Sequence, residues 1–245
     1  NKVFVSICLL TYNRAADLKR SINSILNQTH YNFELIINDD RSTDDTEMIC
    51  KEFERVDSRV KYFKNSTNKK YAGNSNLAIE RASSEYVAIL HDGDEYHNRI
   101  IEIWLHGMLK YKSTSIAFCA NNMMDFNWKV KNQNIHDYPE FIIGKDLLKE
   151  MLYRFECPIW GIVMVKKSCI VKLGYFDESK PRLTDVDMWM RILAVDDAFY
   201  SNQRLINIAP RELEHENSFV NWNIYKEIIE IRRLNILKNN LLFKK

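Results

Sequence analysis

Chain-breaking residues are scarce in this sequence, with six glycines and four prolines among 245 residues, and no linker, low-complexity tract or internal repeat divides it. A single domain is therefore expected, of a size that one α/β core can fill. Net charge is almost absent: 35 Lys and Arg against 33 Asp and Glu leave +2, so charge gives no general attraction to nucleic acid or to a membrane. The five cysteines, Cys8, Cys50, Cys119, Cys157 and Cys169, are scattered, odd in number and form no Cys-x-x-Cys pair. That pattern excludes a disulfide framework and fits buried thiols in a reducing compartment. No apolar run approaches the roughly 20 residues of a membrane-spanning helix, and no signal-peptide-like segment opens the chain. The expected location is the cytoplasm. Asn1 is not a natural start, as in a domain cut from a longer chain.

What the sequence does contain is a short alternation of strands and helices. Val3 to Leu10 is a near-continuous β-rich apolar run, the mark of a strand buried on both faces. Ala15 to Gln28 then places Leu18, Ile22, Ile25 and Leu26 on one helical face. Phe33 to Ile37, Val60 to Phe63 and Tyr86 to Leu90 read as further strands. Between them lie a helix capped by Thr43 or Asp44 that runs towards Phe53, and another over Asn74 to Ala82. Such alternation implies a parallel sheet with right-handed crossovers, in which ligands bind beyond the carboxyl ends of the strands. Thr11, Asn13, Arg14, Asp39, Asp40, His91, Asp92, Asp94 and Glu95 would gather on that edge. The second half is less regular. Helices are expected over 100–111, 144–153 and 185–194, strands over 116–120, 160–165 and around 199–208, and a long helix from Trp222 onward. The polar stretch 123–135 fits neither pattern.

Asp92 and Asp94 sit two apart on the turn after the fourth strand, and Gly93 between them removes a side chain from the approach. Two carboxylates aimed at one point, completed by water and phosphate oxygens, are a usual way to hold Mg²⁺ or Mn²⁺. Asp-Gly is equally common chemistry for a solvated turn. Position decides between the two readings: this turn follows a buried strand at the expected ligand edge.

With these pieces placed, the sequence resembles the family 2 glycosyltransferases of GT-A fold. Val5-Ser6-Ile7-Cys8-Leu9-Leu10-Thr11-Tyr12-Asn13-Arg14 is similar to the family's opening strand and Thr-Tyr-Asn turn, and Ser24-Ile25-Leu26-Asn27-Gln28 to the end of its first helix. Glu34 to Thr46 is similar to its second strand and Asp-Asp-x-Ser segment, and Asp92-Gly93-Asp94 falls where the family keeps an Asp-x-Asp motif. Two later patches, 173–178 and 185–191, carry the likeness further. The resemblance implies an α/β Rossmann-like sheet, mostly parallel and flanked by helices, with an irregular acceptor-side second half. Its expected parts are a nucleotide-sugar half over 1–98, an acceptor half over 99–220 and a basic C-terminal helix over 221–245.

The activity implied is inverting transfer of a sugar, from a UDP-linked or other nucleoside diphosphate donor to a hydroxyl of a glycan, lipid-linked or protein-linked acceptor. The resemblance puts Thr11, Tyr12, Asn13, Arg14, Asp39, Asp40, Asn74, Asp92 and Gly93 in the donor pocket, with Asp39 meeting the base. Asp40 serves as well by capping the following turn. Asp92, Asp94 and His215 are the implied ligands of Mn²⁺ or Mg²⁺, although a lone histidine is as often an ordinary surface residue. Asp185 is the implied base that takes the acceptor proton, its alternative being a simple N-cap. Trp189 is expected to pack rather than to bind sugar. The sequence departs from the pattern at Ser75, where relatives carry Arg, and at Thr184, where they carry Glu; Lys69, Lys70 or Asn74 are the stand-ins for the missing cation. Arg232, Arg233, Lys238, Lys244 and Lys245 make the last helix basic, which reads as a solvated face or as a contact with an anionic membrane at its inner side. A nucleotidyltransferase or a non-catalytic nucleotide- or glycan-binding module are the rival readings.

Overall fold

The structure, a computed structural model, describes residues 3–154, 156–180, 182–210 and 222–238. The first half runs β1 (Val5–Thr11), α1 (Ala15–Leu26), β2 (Phe33–Asp39), α2 (Thr46–Val56), β3 (Val60–Lys64), α3 (Lys70–Arg81), β4 (Tyr86–His91) and β5 (Glu95–Tyr96). The second half runs α4 (Ile100–Lys110), β6 (Thr114–Met124), β7 (Val130–Asn134), β8 (Phe141–Ile142), α5 (Gly144–Arg154), β9 (Val163–Lys166), α6 (Lys167–Lys172), α7 (Thr184–Leu193), β10 (Asp197–Ile208) and α8 (Trp222–Lys238).

The ten strands of the described residues share one sheet, ordered β3-β2-β1-β4-β9-β6-β10-β5, with β7 on β6 and β8 on β10. The expected parallel sheet holds from β3 to β4, where every pairing is parallel. Beyond β4 the sheet is mixed: β9 runs antiparallel between β4 and β6, while β6 and β10 pair in parallel.

Alternation along β1 divides the core between the two faces. Val5, Ile7 and Leu9 join α1, α2 and α4, whereas Cys8 and Leu10 join α3, α5 and α7. Each layer has its own fully buried tryptophan, Trp104 on α4 and Trp189 on α7, so truncating either to Ala should cost about 3–5 kcal/mol. The five cysteines are free thiols, four of them buried.

Three features escaped the periodic pattern. The polar stretch 123–135 is the end of β6, a turn and β7, an antiparallel hairpin joined by Asn134 donating to Asn121 Oδ1 at 2.9 Å. Its residues Val-Lys-Asn-Gln-Asn carry no apolar alternation, so nothing in them marks a strand. Helix α3 begins at Lys70, four residues before the expected start, through a left-handed Lys70 at φ 57°. Finally, α8 is not basic all along its outer face: Arg232 is buried, its Nη2 3.5 Å from the Met151 carbonyl, while Arg233 is exposed. Lys244 and Lys245 lie outside the described residues. No described helix is long and apolar enough to cross a membrane.

Candidate active site

The carboxyl ends of β1, β2 and β4 open onto a cleft of 490 Å³. Parallel register sets this edge, with Thr11 opposite Asp39 and Leu10 opposite His91. Loops leaving the edge contain the left-handed residues Asn13 (φ 51°), Arg41 (φ 68°), Lys70 (φ 57°) and Gly93 (φ 83°). Left-handed non-glycine residues each cost roughly 1 kcal/mol or more, and such strain tends to collect at functional sites.

Thr11, Tyr12, Arg14, Asp40, Asn74 and Asp92 line the cleft as expected, joined by Lys70, Tyr71 and His91. The Thr11 hydroxyl is buried there and makes no hydrogen bond among the described residues. Asn13 has a different job. Its N–H donates to Ser42 Oγ (2.8 Å) and its Oδ1 accepts from the Thr43 N–H (2.8 Å), stapling the loop after β1 to the loop after β2. Asp44 adds to that staple, accepting from the amides of Ala15 (3.0 Å) and Thr46 (3.1 Å).

The two carboxylates of the Asp39–Asp40 pair, both buried, have different partners. Asp39 is wholly buried: Oδ1 accepts from the Ser42 N–H (2.7 Å) and Oδ2 from the Tyr62 hydroxyl (2.6 Å). It is therefore Asp39 that closes the turn, and Asp40 that reaches the cleft. Asp40 Oδ1 accepts from the Lys69 N–H (2.7 Å) and from Asn65 Nδ2 (3.0 Å), fixing the entry to α3. Asn74, at the cleft floor, is bound internally through Asn38 (2.5 Å) and Asn65 (2.8 Å), and so cannot replace the missing arginine. Ser75 back-bonds to the Tyr71 carbonyl (2.7 Å) inside α3. Of the three expected stand-ins, Lys70 is the cation that lines the cleft, together with Arg14.

The acidic turn is built tightly. Asp92 Oδ2 accepts from the Tyr12 N–H (3.2 Å). A Cβ on Gly93 would stand 2.5 Å from Arg14 Nη2 and would have to push that guanidinium aside, and the φ of 83° favours glycine in any case. Arg14 also pairs with Asp17 (3.1 Å), and Arg20 donates to the Gly93 carbonyl (2.9 Å). Asp94 is fully buried, accepting the Ala209 N–H at Oδ1 (2.8 Å), while Ser21 donates to its carbonyl (2.6 Å). The turn thus tethers the end of β10 to β4. Asp92 fits a hard-cation site, because one carboxylate plus phosphate oxygens and water is a common Mg²⁺ shell. Asp94 lies behind it as support in this structure. Among the described residues no three His, Cys, Asp or Glu converge as a metal cage. His215 lies outside the described residues.

A second cavity, of 640 Å³, adjoins the first. Asp185, Met123, Phe126, Lys131 and Trp160 line it, and His91 belongs to both cavities. Asp185 is in the first turn of α7 but is not its N-cap, which is Leu183. Its Oδ1 accepts the Val186 N–H (2.8 Å). Burial pushes its carboxyl above the ordinary aspartate range, against the lowering effect of the amides of Val186 and Asp185 itself. Asp187 is spent on Arg191 (2.8 Å), and Trp189 packs against Phe176, as expected. The Thr184 hydroxyl donates to the Asp177 carbonyl (3.0 Å).

Sequence reasoning placed His91 at the ligand edge but gave it no role. Its imidazole packs edge-on against Tyr71, ring centroids 5.5 Å apart. Gly161 allows this arrangement, since a Cβ there would lie 2.7 Å from His91 Cε1. Nothing local to Tyr71 or Gly161 marks them, because both act on a residue far away in the chain.

Residues 6–170 match the sequence profile of glycosyl transferase family 2. The chain is 30% identical to an uncharacterized glycosyltransferase of Methanocaldococcus jannaschii, over 81% of this chain and 68% of that one. It is 27% identical to the putative teichuronic acid biosynthesis glycosyltransferase TuaG of Bacillus subtilis, over 99% and 94%. Among solved structures, Staphylococcus aureus TarS 1-349 in complex with UDP-GlcNAc superposes with a TM-score of 0.75 at 20% identity. That match covers 95% of this chain and 66% of the TarS chain.

Proposed function

Because the chain belongs to glycosyl transferase family 2, we propose that it moves a sugar from a UDP-linked donor to a hydroxyl of a cell-surface glycan, with inversion. The observation that carries this reading is the meeting of two cavities at His91, one holding Asp40 and Asp92 and the other Asp185. The donor and the acceptor each have a place, and the catalytic carboxylate stands on the acceptor's side.

In the donor cleft, the free lone pairs of Asp40 accept from the imide N–H of the base, a role that passes to it from the inward-turned Asp39. The Thr11 hydroxyl supplies a further partner. Arg14 and Lys70 bring positive charge to the diphosphate. Asp92 would hold Mn²⁺ or Mg²⁺ there, which neutralises charge on the leaving diphosphate when bound. On the other side, Asp185 takes the proton of the acceptor hydroxyl as that oxygen bonds to the anomeric carbon. The bond from that carbon to the phosphate oxygen breaks, and UDP departs. A single displacement of this kind inverts the anomeric configuration. The apolar walls around Asp185 keep its proton affinity high enough to accept a proton in the transition state.

Relatives in this family include a putative teichuronic acid enzyme, which favours a polysaccharide or lipid-linked acceptor for this chain as well. Membrane contact through the basic face of α8 loses support, because Arg232 faces inward. The decisive experiment is to incubate the chain with a panel of UDP-sugars, with Mn²⁺ or with EDTA, and to follow nucleotide release. Release of UDP that requires Asp185 supports the reading. Release of pyrophosphate, or tight UDP binding with no turnover on any donor and acceptor, refutes it.

A further inference from the structure

The Asp185 cavity has a neighbour that the transfer reaction as described does not use. It measures 350 Å³ and is bounded by His136, Tyr138, Glu150, Arg154, Glu156 and Trp160. The short loop carrying Cys157 and Trp160 borders both spaces, and the Trp160 side chain, 40% exposed, forms part of each wall. We propose that this outer cavity seats a neutral sugar ring of the acceptor, the ring next to the one whose hydroxyl reaches Asp185. The chain would then recognise an oligosaccharide terminus rather than a single sugar. This rests on the transfer reading given above and names the acceptor side of that same site.

The surfaces of the cavity suit a pyranose, which has apolar C–H faces and a polar rim. His136 and Tyr138 stack at 5.3 Å with their planes 21° apart. Both rings also lean on Tyr200, at 6.3 Å and 5.7 Å, and the backbone N–H of His136 donates to the Tyr200 hydroxyl at 2.9 Å. The aromatic wall is therefore held before any ligand arrives, which lowers the cost of binding. At the rim, Glu150 Oε1 accepts from the Tyr138 hydroxyl (3.0 Å) and pairs with Arg154 Nε (3.3 Å). Its Oε2 and the outer guanidinium nitrogens of Arg154 remain to meet hydroxyls. Burial keeps the His136 imidazole neutral at neutral pH, so it offers one donor and one acceptor, the pair a vicinal diol needs.

Charge narrows the choice of ring. Two carboxylates, Glu150 and Glu156, face one guanidinium, Arg154, so an acidic sugar or a phosphate would be repelled. Sugar-sized cavities of a few hundred Å³ with few convergent polar groups are the usual form of such sites.

The test is a ligand-observed NMR titration of the full chain, with UDP present, against glucose, cellobiose, N-acetylglucosamine and N,N′-diacetylchitobiose. At least one disaccharide should bind about tenfold tighter than its own monosaccharide, a difference of one well-made contact set. His136→Ala and Glu150→Gln should each bring that ratio close to one, with UDP affinity and monosaccharide affinity unchanged. Should His136→Ala fail to fold, the milder Glu150→Gln still decides the matter. Ratios that stay tenfold in both variants overturn the proposal, and so does a wild-type chain that binds every disaccharide no better than its monosaccharide. Failure of the wild-type chain to bind UDP at all would instead sink the transfer reading, which keeps the two failures apart.

Discussion

The cleft proposed for the donor and the cavity proposed for the acceptor are built in opposite ways. Around the cleft proposed for the donor, every wall comes from the first 92 residues, with neighbouring strands parallel and their loops stapled to each other by Asn13, Asp40 and Asp44. Around Asp185, the walls come from β6, the 157–162 loop, α7 and the end of β10, which are far apart in sequence. The first side is held by side-chain-to-backbone hydrogen bonds between loops of successive strands. The second is assembled by packing, and Asp94 binding the Ala209 amide ties the two at the shared edge, beside the pairing of β5 with β10 and the Asn207–Glu95 bond. A wall made of separate segments can vary without disturbing the sheet.

Asp185→Asn should give the largest effect. Transfer is expected to fall by about 10²–10⁴-fold, as for loss of a general base, while UDP affinity stays constant. The sign of the pH effect follows from the raised carboxyl: activity should increase with pH through a value above the ordinary aspartate range, and Asp185→Asn should erase that limb. An activity limb at the ordinary aspartate value, or a variant that turns over normally, would remove Asp185 from the mechanism.

The link between the two sides is tested by comparing Asp92 with Asp94. Asp94→Ala leaves the Ala209 N–H buried without its acceptor and should cost about 1–3 kcal/mol of stability, with transfer lost. Asp92→Ala should lose metal-dependent donor binding with little change in thermal midpoint, since Asp92 is only half-buried. Equal melting behaviour for both variants would contradict the division of labour.

Within the donor side, the adjacent carboxylates separate cleanly. Asp40→Asn should weaken UDP binding by about tenfold, in line with the loss of a charged hydrogen bond, as measured by calorimetry. Asp39→Asn should leave UDP affinity in place and lower the denaturant midpoint, because the Ser42 amide and Tyr62 hydroxyl lose a charged partner. The reverse result would return the base contact to Asp39.

The smallest effect expected is at Gly161. A Cβ there must displace the His91 ring, which borders both cavities. Gly161→Ala should change KM for donor and acceptor together, by a few-fold each, without unfolding the chain. A change confined to one substrate would place His91 on that side alone.

The sequence made the four parallel strands and their helices legible, since buried strands leave apolar runs and surface helices leave a 3.6-residue stripe. It equally made legible that polar residues follow Leu10, Ile37 and Leu90, and the loops there do converge. Which of two neighbouring aspartates lines the cleft was not legible. Successive residues at a strand end point in opposite directions, and only the pairing of β2 with β1 and β3 fixes which one turns inward. The β6–β7 hairpin stayed hidden because its pairing uses asparagine side chains and backbone rather than an apolar pattern.

By itself, then, the sequence determined the first half: strand order in the chain, the polar edge and the acidic turn all follow from local patterning that needs no distant partner. Only the tertiary structure decided that Asp94 braces Ala209, that Arg232 turns inward, and that His91 stands between two cavities. Those outcomes depend on contacts between residues up to 115 positions apart, and the geometry of such contacts exists only once the sheet has closed.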